Sequence, residues 1–356
     1  MSMRPLQEII RPEVARLTAY QVEDRPHRVK LDANENPYPL PGPVQAAVQE
    51  ALGRVPANRY PDPAARALKR QLAGVAGVPP EQILLGNGSD ELIQMILMAV
   101  ARPGAAVLAP APTFSMYGLT AQALGLRFVE VPLAEGFVLE PALFLRRLQE
   151  AQPAATFIAY PNTPTGNCYD ADAIRAVLTA AAGLVVLDEA YVDFSGKTFL
   201  PDLPAHPHLL ILRTLSKVGL AGLRVGYLVG HEAVLAELEK VRLPYNLNAL
   251  SQAAATVVLK HRDLLRQQVR EIVAERERLA GALRALPGLT VFPSEANFLL
   301  VRTARPAREV FRRLLDRGIL VRDFADVRYL RDCLRITVGT PEENDVVVRA
   351  LREVLA

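Results

Sequence analysis

Two short apolar runs, Leu184–Leu187 and Leu209–Leu212, constrain this chain more than any other feature. Both are built from Val, Ile and Leu and are bounded by turn residues, the pattern of strands buried on both faces of a parallel sheet. Each ends on residues that a buried strand does not select. Asp188-Glu189-Ala190-Tyr191 follows the first, and Arg213-Thr214-Leu215-Ser216-Lys217 closes the second. In open α/β sheets ligands sit outside the carboxyl ends of the strands, so these polar groups converge on one crevice. A lysine there can form a Schiff base, and an aspartate can hold a positive charge on a ring nitrogen. Together they suit an aldehyde cofactor used as an electron sink. Position alone equally allows Asp188 to be a strand-end cap and Lys217 a solvated loop residue.

Size and composition narrow the class. With 356 residues the chain is long for one core, which predicts two domains. A net charge of +3 is small for that length and argues against nucleic acid as a partner. No apolar run reaches the roughly 18 residues of a membrane helix. The opening MSMRPLQEIIRPEV carries Arg4, Glu8 and Arg11 without a long apolar stretch, so neither a membrane span nor a secretion signal is expected. Cys168 and Cys333 are far apart, so a disulfide framework and a zinc site are not expected, and a cytoplasmic location fits. The five histidines are scattered, and no metal is expected.

Along the chain, further strand ends carry polar or aromatic residues. Residues 82–100 read as strand, glycine turn and helix, with Gly86 and Gly88 in the turn and Ser89 and Asp90 at the helix start. Such a terminus is either an anion site or an ordinary N-cap. The absence of Gly-Lys-Ser/Thr excludes a nucleotide P-loop and favours a single phosphate. The strand over 105–109 leads to Phe114, a ring that either stacks on a flat ligand or fills the core. The strand over 154–159 ends in Tyr160-Pro-Asn162-Thr163-Pro164-Thr165-Gly166. From 231 onward helical spacing dominates, over 231–243 and a long stretch at 250–286. Beyond it, strands are expected near 297–301, 319–322 and 333–338, and helices near 306–317 and 341–355. Arg335 lies inside a strand pattern, where a guanidinium requires an anion. Arg322 ends another strand, placed to share that anion or to pair with Asp323 or Asp326. No G-x-G-x-x-G follows a strand, which disfavours a nucleotide-dependent dehydrogenase.

The segments LDEAYVDF, ILRTLSK and GLAGLRVGY closely resemble those of the fold-type I pyridoxal-phosphate aminotransferases. Within them the chain is most similar to the histidinol-phosphate aminotransferases, over nearly its whole length from Tyr20 to Arg335. The resemblance implies an α/β, aspartate-aminotransferase-like fold with a mostly parallel sheet. Residues 1–30 are expected as an arm, 31–248 as the large domain and 249–356 as a smaller α+β domain opened by the long helix. It also implies pyridoxal 5′-phosphate on Lys217, with Asp188 at the ring nitrogen and Tyr191 at the phenolic oxygen. Phe114 would stack on the ring, and Asn162 (or Thr163, which stands just before Pro-Thr-Gly) would meet the same oxygen. Gly88, Ser89, Asp90, Thr214, Ser216 and Arg224 would surround the phosphate. Tyr60 would reach it from the second subunit of a homodimer. Tyr20, Asn34, Arg322 and Arg335 would bind substrate. The implied reaction exchanges an amino group between histidinol phosphate and 2-oxoglutarate. Transamination of aromatic amino acids and decarboxylation of a phosphorylated amino acid are the alternatives.

Overall fold

The computed structural model describes residues 4–19 and 25–356. Twelve strands occur among them: β1 (Val29–Leu31), β2 (Ile83–Asn87), β3 (Ala106–Ala111), β4 (Arg127–Pro132), β5 (Ala155–Ala159), β6 (Leu184–Asp188), β7 (Leu209–Thr214), β8 (Val225–Gly230), β9 (Leu289–Val291), β10 (Phe298–Thr303), β11 (Ile319–Asp323) and β12 (Cys333–Thr337).

Seven of them form one sheet in the order β2-β8-β7-β6-β5-β3-β4. The two apolar runs are its centre, with β6 and β7 paired in parallel from Val185 opposite Leu209 to Asp188 opposite Leu212. Their continuous apolar character follows from burial on both faces. Leu210 and Leu212 pack with Leu92, Ile93 and Ile96 of the helix Ser89–Val100. Leu209 and Ile211 point the other way, into a cluster with Leu72, Phe144 and Ile174. Each such side chain contributes about 1.5–3 kcal/mol of transfer free energy.

One strand departs from the parallel expectation. β8 runs antiparallel to both β7 and β2. The cause is the connection: only residues 215–224, folded into two short 3₁₀ turns, separate β7 from β8. A parallel return needs a crossover of a dozen residues or more. The consequence is functional, because this tight loop carries Lys217 and Arg224 across the carboxyl end of β7.

The five remaining strands form a second sheet, β1-β11-β12-β10-β9. Its core is shared by Leu279 and Leu283 of the helix Arg262–Arg284, Val310 and Leu314 of the helix Ala307–Leu315, and Val347 and Leu351 of the helix Pro341–Leu355. Two features differ from the sequence expectation. Val29 and Lys30, expected in the arm, form with Leu31 a strand paired in parallel with β11. The long stretch at 250–286 is two helices, Ala249–Lys260 and Arg262–Arg284, broken at His261, whose φ and ψ of −110° and 25° are not helical. Among the described residues no helix is long and apolar enough to cross a membrane.

A buried ion pair locks the ends of the central strands. Arg213 of β7 donates to Glu189 Oε2 from Nη2 at 2.7 Å and from Nε at 3.0 Å. Glu189 is fully buried and also accepts from the Thr198 hydroxyl and from Phe199 N at 2.7 Å. Removing one partner leaves a charge stranded in the core. Glu189→Ala should therefore lose about 3–5 kcal/mol of unfolding free energy in a denaturant titration. A loss under about 1 kcal/mol, the range of an exposed pair, would refute that reading.

Candidate active site

The carboxyl ends of β3, β5, β6 and β7 open onto a cavity of about 360 Å³ lined by Ser89, Phe114, Asp188, Tyr191, Lys217 and Arg224, among others. A second cavity of about 470 Å³ shares Ala33, Phe114, Thr163, Tyr191 and Lys217 with it and extends to Asn34, Arg322 and Arg335. The two are one crevice, bounded by both sheets.

Asp188 is the last residue of β6 and is 5% exposed. Its Oδ1 accepts from Ala190 N at 3.0 Å, and its Oδ2 accepts from the Tyr117 hydroxyl at 2.6 Å. Burial pushes the carboxyl up to about 6, against the opposing pull of those two donors and of the Lys217 charge. Tyr117 is itself fully buried, and burial beside that carboxyl holds its phenol well above the usual range, so it stays protonated and donates.

Lys217 sits in the 3₁₀ turn Ser216–Val218, directly after β7. Its Nζ donates to Ala33 O at 3.3 Å and lies 5.8 Å from the centre of the Tyr191 ring. Tyr191 is buried, and its hydroxyl accepts from Asn34 Nδ2 at 2.8 Å. Asn34 is held in turn by Thr337 of β12 and by Asn297 Nδ2, which donates to Asn34 O at 3.0 Å. Thus one hydrogen-bonded chain joins the second sheet to the tyrosine beside the lysine.

The helix Ser89–Val100 has Gly88 as its N-cap residue, at φ 82°, with no side-chain cap. Neither Ser89 nor Asp90 caps it, so the first-turn N–H groups are not taken by a capping side chain. Gly88 is required by its positive φ and Gly226 by the backbone packed against it. A Cβ on Gly88 would lie 2.5 Å from Arg224 Nη2, and one on Gly226 would lie 2.6 Å from Ser89 N. Arg224 lies against this turn and donates to Asp90 Oδ2 at 3.2 Å. Thr214 and Ser216 line the same end, with their hydroxyls 2.9 Å apart.

Arg322 of β11 and Arg335 of β12 are direct cross-strand neighbours in the second sheet. Arg335 Nη1 donates to the Thr163 hydroxyl at 3.2 Å and Nη2 to Asp32 O at 2.6 Å, with Phe298 and Phe324 flanking its guanidinium. Asp323 and Asp326, the local acids beside Arg322, are paired with Arg308.

Two of the expected site residues, Asn162 and Tyr60, do not line the crevice of their own chain. Asn162 is wholly buried, and its amide is spent inside its own loop, donating to Pro112 O and Thr165 Oγ1 and accepting from the Thr113 hydroxyl at 2.7 Å. Thr163, not Asn162, is the polar residue of that turn that lines the crevice. Tyr60 is 81% exposed and stacked on Tyr245 at 4.4 Å, outside the crevice of its own chain. Tyr20 lies outside the described residues. Sequence reasoning passed over Tyr117, which touches Asp188. The available signal was its place one turn after Phe114 on a helix that leaves a strand end.

Comparison with known proteins agrees with this geometry. The family model for aminotransferase class I and II matches residues 26–351. Histidinol-phosphate aminotransferase 2 of Nitrosococcus oceani is 49% identical over 346 residues, 96% of this chain and 96% of that protein. Histidinol-phosphate aminotransferase 1 of Ralstonia nicotianae is 50% identical, covering 95% of this chain and 92% of its own length. The crystal structure of histidinol-phosphate aminotransferase from Sinorhizobium meliloti in complex with pyridoxal-5′-phosphate superposes with a TM-score of 0.89 at 28% identity, covering 97% of each chain. The matched span, the fold and the converging strand ends agree: the chain belongs to the class I and II aminotransferases.

Proposed function

We propose that this chain is a pyridoxal 5′-phosphate-dependent aminotransferase that exchanges an amino group between L-histidinol phosphate and 2-oxoglutarate. The observation that carries the reading is the placement of Lys217 and Asp188 in one crevice, an amine and a buried acid at the carboxyl ends of adjacent strands.

The residues fit that cofactor. Its phosphate suits the end lined by Ser89, Ser216 and Arg224, where Gly88 and Gly226 let the backbone approach and helix N–H groups lack a side-chain cap. Its flat ring suits the slot beside Phe114. When bound, the cofactor supplies an electron sink for the pair left behind as the substrate carbon loses its proton. Asp188, as a carboxylate, would hold a proton on the ring nitrogen. Lys217 would serve as the base that takes the proton from the carbon bearing the amino group and as the acid that gives it back. Tyr191, steadied by Asn34, donates its hydroxyl towards the phenolic oxygen, and Thr163 faces the crevice beside it.

Arg322 and Arg335 account for two substrates in one site. A guanidinium fork binds phosphate and carboxylate alike, so one arginine pair serves the phosphate of one substrate and the distal carboxylate of the other. One site serving both half-reactions implies ping-pong kinetics. The close relatives named for histidinol phosphate support that donor over aromatic amino acids. The decarboxylase structures this chain resembles are 24% identical, a likeness of fold.

The exposed Tyr60 supports a homodimer in which each tyrosine completes the other subunit's phosphate site. The two sheets support a division into a large domain over 31–248 and a small one over 249–356, preceded by an arm over 1–30, with residues 29–31 lending a strand to the small domain's sheet. The lack of any apolar spanning helix among the described residues fits a cytoplasmic location.

Three outcomes are expected. Purified protein should form glutamate from histidinol phosphate and 2-oxoglutarate, and faster turnover of aromatic donors would overturn the substrate while leaving the class. Arg335→Ala should raise KM for both substrates about tenfold or more, as the loss of charged hydrogen bonds requires, with the bound cofactor's absorbance unchanged. Unchanged KM values would remove Arg335 from the substrate site. Mixed subunits of Lys217→Ala and Tyr60→Ala should recover activity neither has alone, because one site of each hybrid then holds both residues. Failure to recover would refute the shared site.

A further inference from the structure

We propose that Tyr117 is a positioning residue for this reaction: its hydroxyl holds Asp188 in the ionised form and aims it at the ring, while its own helix sets Phe114 against the ring's face. The inference rests on the functional reading above.

Tyr117 lies one turn into the helix Ser115–Ala123, which starts where β3 has brought the chain to the crevice. Its ring is fully buried between two others, stacked on Phe157 of β5 at 4.7 Å and meeting Phe114 edge-on at 5.5 Å. A phenylalanine would fill that space as well. The hydroxyl is what distinguishes tyrosine, and it makes a 2.6 Å bond to Asp188 Oδ2. Oδ1 is taken by Ala190 N, so each carboxylate oxygen has one donor on the protein side.

Asp188 can perform its role only as a carboxylate. The charges that act on it most are the opposite charge of Lys217 and the like charge of Asp90, while the phenols of Tyr191 and Tyr169 lie near Tyr117 itself. In so dry a place a donated hydrogen bond to the charged form decides where a shared proton rests. Without the Tyr117 hydroxyl, the carboxyl becomes more basic. The proton then moves from the ring nitrogen towards Asp188, and the electron sink weakens. Binding of substrate at Arg322 and Arg335 is untouched.

The test uses the holoenzyme loaded with pyridoxal phosphate carrying ¹⁵N in the ring. In Tyr117→Phe the nitrogen signal should shift towards its unprotonated position, as the partition of the shared proton moves about tenfold from the ring to the carboxyl, equivalent to about one pKa unit of Asp188. The accompanying kcat should drop about tenfold while KM stays within about twofold. Phe157→Leu removes the stacking partner but keeps the hydroxyl. It should lower Tm and leave the nitrogen signal in place. Incorporation of 3-fluorotyrosine at 117, a stronger donor, should move the nitrogen signal in the opposite sense to Tyr117→Phe. A nitrogen signal in Tyr117→Phe that matches the wild type, or equal shifts in Tyr117→Phe and Phe157→Leu, would overturn the proposal. Wild-type protein that takes up no pyridoxal phosphate would instead bring down the functional reading, and this inference with it.

Discussion

A carboxylate kept charged where burial works against charge is the interaction on which the rest of this structure depends. Asp188 ends a strand whose other residues are apolar and buried, and burial raises its carboxyl to about 6. The protein offsets that with donors it supplies itself, the Ala190 N–H and the Tyr117 hydroxyl. Such an arrangement is unfavourable as mere packing and becomes useful when a cation sits opposite. Perturbed acids of this kind cluster at functional sites for that reason.

Topology brings the partners of that acid together. Parallel strands deliver their carboxyl ends to one edge, and the short antiparallel return into β8 folds Lys217 and Arg224 over the same edge. The buried Glu189–Arg213 pair ties the residue after Asp188 to the strand that leads to Lys217. The acid and the amine are therefore held by adjacent, mutually braced strand ends and not by mobile loops. From the other side, the second sheet contributes Arg322, Arg335 and, through Thr337 and Asn34, a link to Tyr191. On the proposed function, substrate recognition and cofactor chemistry would meet at the seam between the two cores.

Much of this was legible in the sequence because it rests on local rules. Buried strands declare themselves by continuous apolar runs, and polar groups at their ends, such as Asp188 and Lys217, stand out by contrast. The C-terminal strands and helices also lie close to their expected places, since their periodicity is strong. What stayed hidden depended on geometry that no run of residues expresses. The direction of β8 is set by the length of the loop before it. The choice between Asn162 and Thr163 is set by which side chain the turn can satisfy internally, and Asn162, with its donor and acceptor both used, turned inward. The break at His261 interrupts a pattern that remains helical on both sides. Tyr117 reads as an ordinary core aromatic until the strand bearing Asp188 is placed beside it.

The central claim is that the amine of Lys217 is the group that grips the aldehyde of the cofactor. Borohydride treatment of the pyridoxal-phosphate-loaded protein, followed by peptide mass analysis, tests it most directly. The account expects one cofactor fixed irreversibly to residue 217, and none fixed in Lys217→Ala. Cofactor fixed at a different lysine, or a wild-type protein in which nothing is fixed, would contradict it.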